Sequence, residues 1–385
     1  MDFTYDTEHD DLRSAVRALL QRRYPPSDGG RIVEQAEKPD ADGWAELGRM
    51  GALGLTIDSD HGGMGASLVE ASIVAEEIGR CLAPEPYVES LVLGARLIAS
   101  AGTPEQRRTM EPALAAGTHR VVLAHLEPGA LSRVTAARWS GAWELSGVKE
   151  PVVGGAEADL LVVTAEVDCR LLLFVVESGS DGLEIDGYPT HDHRRAARVS
   201  LRGAPAHLLG DDGHEDRRGL VGAALAEAKL LLCHEALGLM ETAVGLTSEY
   251  LRVRTQFGKP LMAFQALTFR AADMYVAMEM ARSTTMWATM AVAEGSPLGL
   301  EACHRAAVET GRAGRFVGEQ AVQLHGGIGV TAEHPVGHVL SRLTAIDHTA
   351  LTSMDAVEWL REAPATRSAA PELLLADPRH GSRSA

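Results

Sequence analysis

The chain has 385 residues, of which 45% are hydrophobic and 23% are charged, and its net charge is −17. This composition is typical of a globular protein with two or three domains, and no apolar run is long enough to predict a membrane span. The acidic balance argues against nucleic acid or an anionic membrane as a partner. Four scattered cysteines without metal-ligand spacing, and a start that lacks a signal-peptide pattern, predict a cytoplasmic protein with reduced thiols.

Residues 1–119 are predicted to form an N-terminal helical domain. Apolar side chains recur at helical spacing after the acidic start of the chain and again in the segment 67–82. The glycine-rich segment 57–68 lies between two such patterns and predicts a connecting loop. The spacing of Thr103 and Gln106 is typical of a capping box and predicts the start of a further helix.

The hydrophobic period changes at about residue 120, where short β-branched and aliphatic runs begin. Glycine, proline and aspartate interrupt these runs, which predicts a compact β-domain over 120–217. Helical spacing then returns, and three long apolar patterns followed by a shorter fourth over 336–360 predict a C-terminal four-helix bundle at 218–363. The fold class is therefore α+β, and residues 364–385 are predicted to form a flexible tail.

One segment of the C-terminal region carries side chains suited to a phosphate-bearing ligand. It contains Arg254, Gln256 and Phe257, and it ends at Gln265. A guanidinium offers a planar fork of donors to phosphate oxygens, and an aromatic ring can cover an apolar ring. On their own, the arginines are more often typical of a solvated helix end followed by a loop, because surface arginine is common.

A second segment follows about 60 residues later, on the next long helical pattern. Gln323 precedes the glycine-rich turn that contains Gly326 and Gly327. Such a turn lets backbone N–H groups approach an anion closely. Together the two segments resemble the flavin-binding signatures of the acyl-CoA dehydrogenase family.

This resemblance covers nearly the whole chain. It implies the fold of that family, with an N-terminal helical domain, a central β-domain and a C-terminal four-helix bundle. It also implies that the two segments hold the pyrophosphate and adenine end of an FAD lodged mainly in a neighbouring subunit. The implied activity is α,β-dehydrogenation of acyl-CoA thioesters, with an electron-transfer flavoprotein among the partners.

The β-domain departs from the family where it receives the flavin ring. The family places a hydroxyl-bearing residue at the end of the first strand, and the matching position here is Leu126. The family's next flavin contact is an aromatic residue followed by a hydroxyl-bearing one, and the matching run here is Pro151–Gly155. Aliphatic side chains cannot replace the lost hydrogen bonds, so the flavin-ring site is predicted to be degraded.

The glutamate that removes the substrate's α-proton in the family is also missing. Ala350 and Ala228 occupy the two positions at which family members carry it. Glu227 is adjacent to Ala228, but one residue along a helix is a rotation of about 100°, so Glu227 is expected to face elsewhere, as a surface or interface carboxylate. Asp347 and Glu235 are weaker substitutes.

These departures indicate the non-catalytic subunit of a heteromeric acyl-CoA dehydrogenase of the steroid side-chain type, with no catalytic residue of its own. In that interpretation a catalytic subunit binds most of the acyl-CoA, two copies of each chain form a heterotetramer, and the isolated chain is inactive. Two alternatives stay open. One is a self-sufficient homomeric dehydrogenase that uses Glu227 or another acid as base, and the other is a flavin oxidase or monooxygenase on the same scaffold.

Overall fold

The computed structural model describes five stretches of the chain, namely residues 6–25, 31–32, 41–129, 135–211 and 215–362. The predicted flexible tail at 364–385 lies outside the described residues. The fold is that expected from the resemblance: a helical N-terminal part, a central β region and a helical C-terminal part. No helix of the described residues is long and apolar enough to cross a membrane.

Among the described residues of the N-terminal part, the α-helices are α1 Thr7–Arg23, α2 Ala41–Arg49, α3 Leu68–Cys81, α4 Tyr87–Ser90, α5 Leu97–Ala101 and α6 Pro104–Ala115. A π-helical segment, Leu91–Arg96, joins α4 to α5. The predicted capping box is confirmed at α6, because the Thr103 hydroxyl accepts from the backbone N–H of Gln106 and the Gln106 side chain accepts from the backbone N–H of Thr103.

The central part is a seven-stranded sheet formed by β1 Val121–Ala124, β2 Ala136–Trp139, β3 Trp143–Val153, β4 Leu160–Val167, β5 Arg170–Glu177, β6 Leu183–Pro189 and β7 Arg195–Leu208. Strand β5 pairs antiparallel with both β4 and β7, so β4, β2, β3, β7 and β5 close into a ring. Alternate residues such as Leu145, Val163 and Phe174 fill its interior.

The C-terminal part consists of α7 Arg218–Val253, α8 Gln265–Ala293, α9 Gly299–His325, α10 Pro335–Asp347 and α11 Ser353–Arg361. A short hairpin of β8 Thr255–Gln256 and β9 Lys259–Pro260 connects α7 to α8. The prediction of one fourth helix over 336–360 was wrong, because the chain turns between α10 and α11. Ala350 adopts a left-handed conformation there with φ 63°, and the Thr352 hydroxyl caps α11 by accepting from the Asp355 N–H.

Helix α7 runs through the middle of the molecule and crosses α3 closely. A Cβ atom at Gly238 would lie 2.0 Å from the Glu76 carbonyl oxygen, and one at Gly79 would lie 1.9 Å from the Glu235 carbonyl oxygen. Glycine is therefore required at both positions of this crossing. Every residue of α7 from 226 to 240 is buried, so the helix has no solvent-facing side over that stretch.

A buried charge cluster joins the β region to the C-terminal helices. The Arg342 guanidinium on α10 donates to the Glu235 carboxylate on α7 at 2.7 and 2.9 Å, and to Asp192 of the β6–β7 loop at 2.9 Å. Arg194 donates to the same Glu235 carboxylate at 2.7 Å and to the Glu85 carbonyl oxygen at 2.8 Å. This cluster sets the position of α10 relative to the β region and so shapes the site described below.

Candidate functional site

The first predicted segment forms an exposed hairpin at the end of α7. Phe257 and Gly258 are the central residues of its turn and both have positive φ, 53° and 79°. Phe257 is 90% exposed, and its ring meets that of Phe264 edge-on at 6.2 Å. An aromatic residue in a left-handed conformation and in full contact with water is an unfavourable combination for an isolated chain. The turn therefore presents Phe257 outward at a cost in stability.

The polar side chains of this segment are also exposed. Arg254 is the C-cap residue of α7, Gln256 lies in β8, and Gln265 begins α8. Within residues 215–362, the side chains of these three residues and of Gln323 make no hydrogen bond or ion pair. A planar cation and several amides on one surface leave their donors available to a ligand or a second subunit.

The second predicted segment ends α9 beside the first. Gln323 lies in the last turn of α9, and Gly326 follows with φ 65° and ψ −139°, a conformation that only glycine adopts readily. A Cβ atom at Gly326 or Gly327 would meet nothing within 4 Å, so the space beside the turn is open. The Tyr250 ring in the last turn of α7 stacks on His325 with 4.6 Å between ring centroids. The structure thus brings the two segments together at adjacent helix ends.

The positions that match the family's flavin-ring contacts surround one small cavity. Leu126, Pro151, Val153 and Ala350 line it, and its volume is about 60 Å³. Small-molecule and cofactor pockets usually measure roughly 300–1,000 Å³. Leu126, Pro151 and Val153 contribute no side-chain hydroxyl or aromatic ring. At this volume the cavity has no room for a flavin ring in this conformation.

Glu89 is the acidic side chain among the described residues that line this cavity, and the sequence analysis did not single it out. It is 5% exposed, and burial raises the pKa of its carboxyl group although the guanidiniums of Arg342 and Arg194 act in the opposite direction. A charged residue inside the apolar run 87–95 was the sequence signal that could have drawn attention to it. His125 also lines the cavity, and burial together with the nearby Lys149 ammonium lowers its pKa to about 4.

The acids weighed as replacement bases lie elsewhere. The expectation of a surface or interface Glu227 was wrong, because this residue is fully buried on α7 next to the equally buried Ala228. Its carboxylate interacts electrostatically with the buried Arg96 guanidinium and lies outside the lining of the cavity. Glu227 points to a different side of α7 from Ala228, and that side is also packed against the protein because α7 is buried on all sides here.

Glu235 and Asp347 are no better placed. Burial would raise the pKa of Glu235, but the guanidiniums of Arg342 and Arg194 outweigh it and lower the pKa. Asp347 ends α10 and accepts a hydrogen bond from the Ser353 hydroxyl at 3.3 Å. Neither residue lines the cavity. The described residues contain no group of three or more His, Cys, Asp or Glu side chains that could hold a metal ion, and all four cysteines are free.

Comparison with known proteins identifies the family. The model named "Acyl-CoA dehydrogenase, N-terminal domain" matches residues 6–118, and the model named "Acyl-CoA dehydrogenase, C-terminal domain" matches residues 218–347. Acyl-CoA dehydrogenase FadE27 from Mycobacterium tuberculosis is 28% identical over 343 residues, which cover 87% of this chain and 91% of that protein. Members of this family are FAD flavoproteins.

Solved structures of similar proteins have the same fold. The Tcur3481-Tcur3483 steroid ACAD variant superposes with a TM-score of 0.81 at 28% identity, covering 92% of this chain and 96% of that one. A chain of the ChsE4-ChsE5 complex from Mycobacterium tuberculosis superposes with a TM-score of 0.84 at 26% identity, covering 96% and 100%.

Proposed function

This chain belongs to the acyl-CoA dehydrogenase family, and on that premise we propose that it is the non-catalytic subunit of a heteromeric, FAD-dependent acyl-CoA dehydrogenase. The observation that carries the proposal is a difference between two sites on this chain, one with available ligand-binding side chains and one without the expected base. The exposed face formed by Arg254–Gln265 and Gln323–Gly327 keeps its ligand-binding side chains available. The cavity beside Ala350 is small and lacks a base at the expected position.

We assign the exposed face to an FAD held mainly by a catalytic partner subunit. A bound FAD supplies the hydride acceptor for α,β-dehydrogenation. In this assignment the Arg254 fork binds pyrophosphate oxygens, Phe257 covers an apolar ring, and the Gln265 and Gln323 amides donate to remaining acceptors. Gly326 and Gly327 let the backbone approach the anion.

Exposed apolar side chains next to this face support assembly with a partner. Helix α8 presents four of them, Phe269, Tyr275, Val276 and Met280, each more than half exposed. Obligate subunit interfaces commonly bury more than about 2,000 Å² and are apolar. We therefore propose a heterotetramer of two such chains and two catalytic subunits, with an electron-transfer flavoprotein as its redox partner and the cytoplasm as its location.

The substrate class follows from the relatives and is part of the same proposal. One solved relative is described as a steroid ACAD, and another is a complex named from two chains, ChsE4-ChsE5. We propose that the assembly dehydrogenates a CoA thioester whose acyl group is the side chain of a steroid. In this proposal the catalytic subunit binds most of that substrate. The acidic net charge of this chain, −17, does not favour an anionic CoA ester, which fits that division of labour.

Activity of the isolated chain is the first test. The purified chain should show no acyl-CoA-dependent dye reduction, because loss of a positioned base typically costs about 10²–10⁴ in rate. Ala350→Glu should not restore turnover, since the cavity has no room for the flavin ring. Co-expression with a catalytic acyl-CoA dehydrogenase subunit should yield an active, yellow complex. Robust turnover by the chain alone would contradict the proposal.

FAD binding by the complex is the second test. Arg254→Ala should weaken FAD binding by about 10–150-fold, because a desolvated charge-assisted contact contributes roughly 1.5–3 kcal/mol. Arg312→Ala is a matched control, since Arg312 is exposed and pairs only with Glu309 of its own helix among the described residues. Equal affinity for wild type and Arg254→Ala would show that the segment is structural. A stoichiometry of two FAD per heterodimer would show that the cavity opens to hold a flavin.

The Glu89 carboxyl supports a second candidate function, that of a self-sufficient homomeric dehydrogenase. It faces the same cavity as Ala350, and its raised pKa is the property that a general base near neutral pH requires. In that case the purified chain would bind FAD and reduce dye alone, and Glu89→Gln would abolish turnover. If the proposed function is correct, Glu89→Gln leaves the activity of the complex within a few-fold of wild type.

A further inference from the structure

Three aromatic side chains form a row that connects three helix ends around the glycine turn. The Tyr250 ring near the end of α7 stacks on the His325 ring at the end of α9, at 4.6 Å and 28° between planes. His325 in turn lies 4.6 Å from the ring of His334, which precedes α10. The row therefore spans the turn Gly326–Val330, which joins α9 to α10.

Each histidine in the row is held by the backbone of its own segment. His325 Nδ1 lies 2.8 Å from the Ala321 carbonyl oxygen, one turn earlier in α9. His334 Nδ1 accepts from the Val336 N–H at 3.3 Å and so caps the start of α10. Burial lowers the pKa of both imidazole rings, and for His334 the nearby His325 adds to this effect.

Tyr250 contacts residues at both segments of the exposed face. Its backbone carbonyl accepts the Arg254 N–H at 2.9 Å, while its ring packs on His325, the residue directly before Gly326. Gly326 and Gly327 carry no side chain that could anchor the start of the turn, whereas the Thr331 hydroxyl and N–H hold its end by donating to the Ile328 carbonyl oxygen. The Tyr250–His325 stack therefore ties the start of the turn to the end of α7, which carries Arg254.

We propose that Tyr250 is a positioning residue, which sets the Gly326–Gly327 turn against Arg254 so that both can bind one pyrophosphate. This inference rests on the proposed function, because it assumes that the exposed face binds FAD of a partner subunit. Stacked ring pairs contribute beyond their burial by an amount that corresponds to about 2–10-fold in affinity. Tyr250 itself does not contact the ligand in this proposal.

The test compares ring removal with ring retention in the heteromeric complex. Tyr250→Ala should weaken FAD binding by about 2–10-fold, whereas Tyr250→Phe should bind like wild type because the ring remains. Tyr250→Leu keeps apolar bulk without the ring and should behave like Tyr250→Ala, which covers the case in which the alanine variant fails to assemble. Trp139→Ala removes an exposed ring of the β region and serves as the control.

A double-mutant cycle separates positioning from a general loss of stability. If Tyr250 acts through the placement of Arg254, Tyr250→Ala should cost less FAD affinity in the Arg254→Ala background than in wild type. Full additivity, or a Tyr250→Phe variant as weak as Tyr250→Ala, would overturn the proposal. If Tyr250→Ala binds FAD like wild type while Arg254→Ala binds it more weakly, the positioning role of Tyr250 is refuted and the proposed function stands. Wild-type affinity of both variants would refute the proposed function.

Discussion

In the proposed function, the exposed face around Arg254 and the cavity around Ala350 correspond to two halves of a flavin site, and they differ in the ligand contacts that their residues offer. The exposed face keeps a guanidinium, amides and a glycine turn on a surface that the chain's own packing does not need. The cavity has aliphatic residues at the positions that match the family's flavin contacts and measures about 60 Å³. This difference supports the proposal that the chain completes another subunit's cofactor site without holding a cofactor itself.

The two regions also differ in what stabilises them. Glu89 in the cavity lining interacts electrostatically with Arg342, which belongs to a charge cluster with Glu235 and Asp192 in which every member is buried and paired. Buried pairs of this kind are costly to break because the remaining charge is left without water or a partner. The exposed face has no comparable network in the described residues, and Phe257 in its turn is strained. Substitutions should therefore affect stability on one side and binding on the other.

The largest expected effect is on the cavity side. Arg342→Ala removes a positive partner from the buried carboxylates of Glu235 and Asp192. It should therefore lower the free energy of unfolding by about 3–5 kcal/mol. Arg254→Ala on the exposed face should change it by less than about 0.5 kcal/mol. Urea unfolding of the isolated chain measures both. Similar losses for the two variants would remove the distinction between the regions.

A smaller effect on the cavity side is the pH dependence of stability that arises from His125. The unfolded His125 imidazole binds a proton below about pH 6.5, whereas the folded one does so only near its lowered pKa of about 4. The unfolded state thus binds more protons in this window, and stability should fall by up to about 3 kcal/mol as pH decreases from 6.5 to 4. His125→Gln should flatten this part of the unfolding profile. His207→Gln, at an exposed position of β7, should retain the wild-type slope.

The smallest effect concerns the turn of the exposed hairpin. Phe257→Gly should raise the free energy of unfolding by up to about 1 kcal/mol, because glycine tolerates φ 53° without the steric cost paid by phenylalanine. The same variant should weaken FAD binding in the complex. Gly258→Ala, at φ 79°, is the matched control and should destabilise the chain by about 1 kcal/mol. A stabilised Phe257→Gly variant with unchanged FAD affinity would show that the aromatic ring has no binding role.

Local pattern was enough to predict the fold class. The change of period near residue 120 coincides with β1 at Val121, and the return of helical spacing coincides with α7 at Arg218. The capping box spans only the four residues from Thr103 to Gln106, so it too was predictable. The break between α10 and α11 was missed, because the apolar spacing continues through it and only the backbone at Ala350 reveals the turn.

The sequence by itself determined the residue types at both places: Arg254, Gln323 and Gly326 on the exposed face, and Leu126, Pro151 and Ala350 at the cavity positions where the family carries a hydroxyl, an aromatic ring and a carboxylate. Only the tertiary structure decided which residues meet. Leu126, Pro151 and Ala350 come from three distant parts of the chain, and Glu89 joins them through a fourth. Periodicity also could not reveal that Glu227 is buried. A helix packed on every side has no polar face to define its orientation, so its environment depends on the neighbours that the fold brings to it.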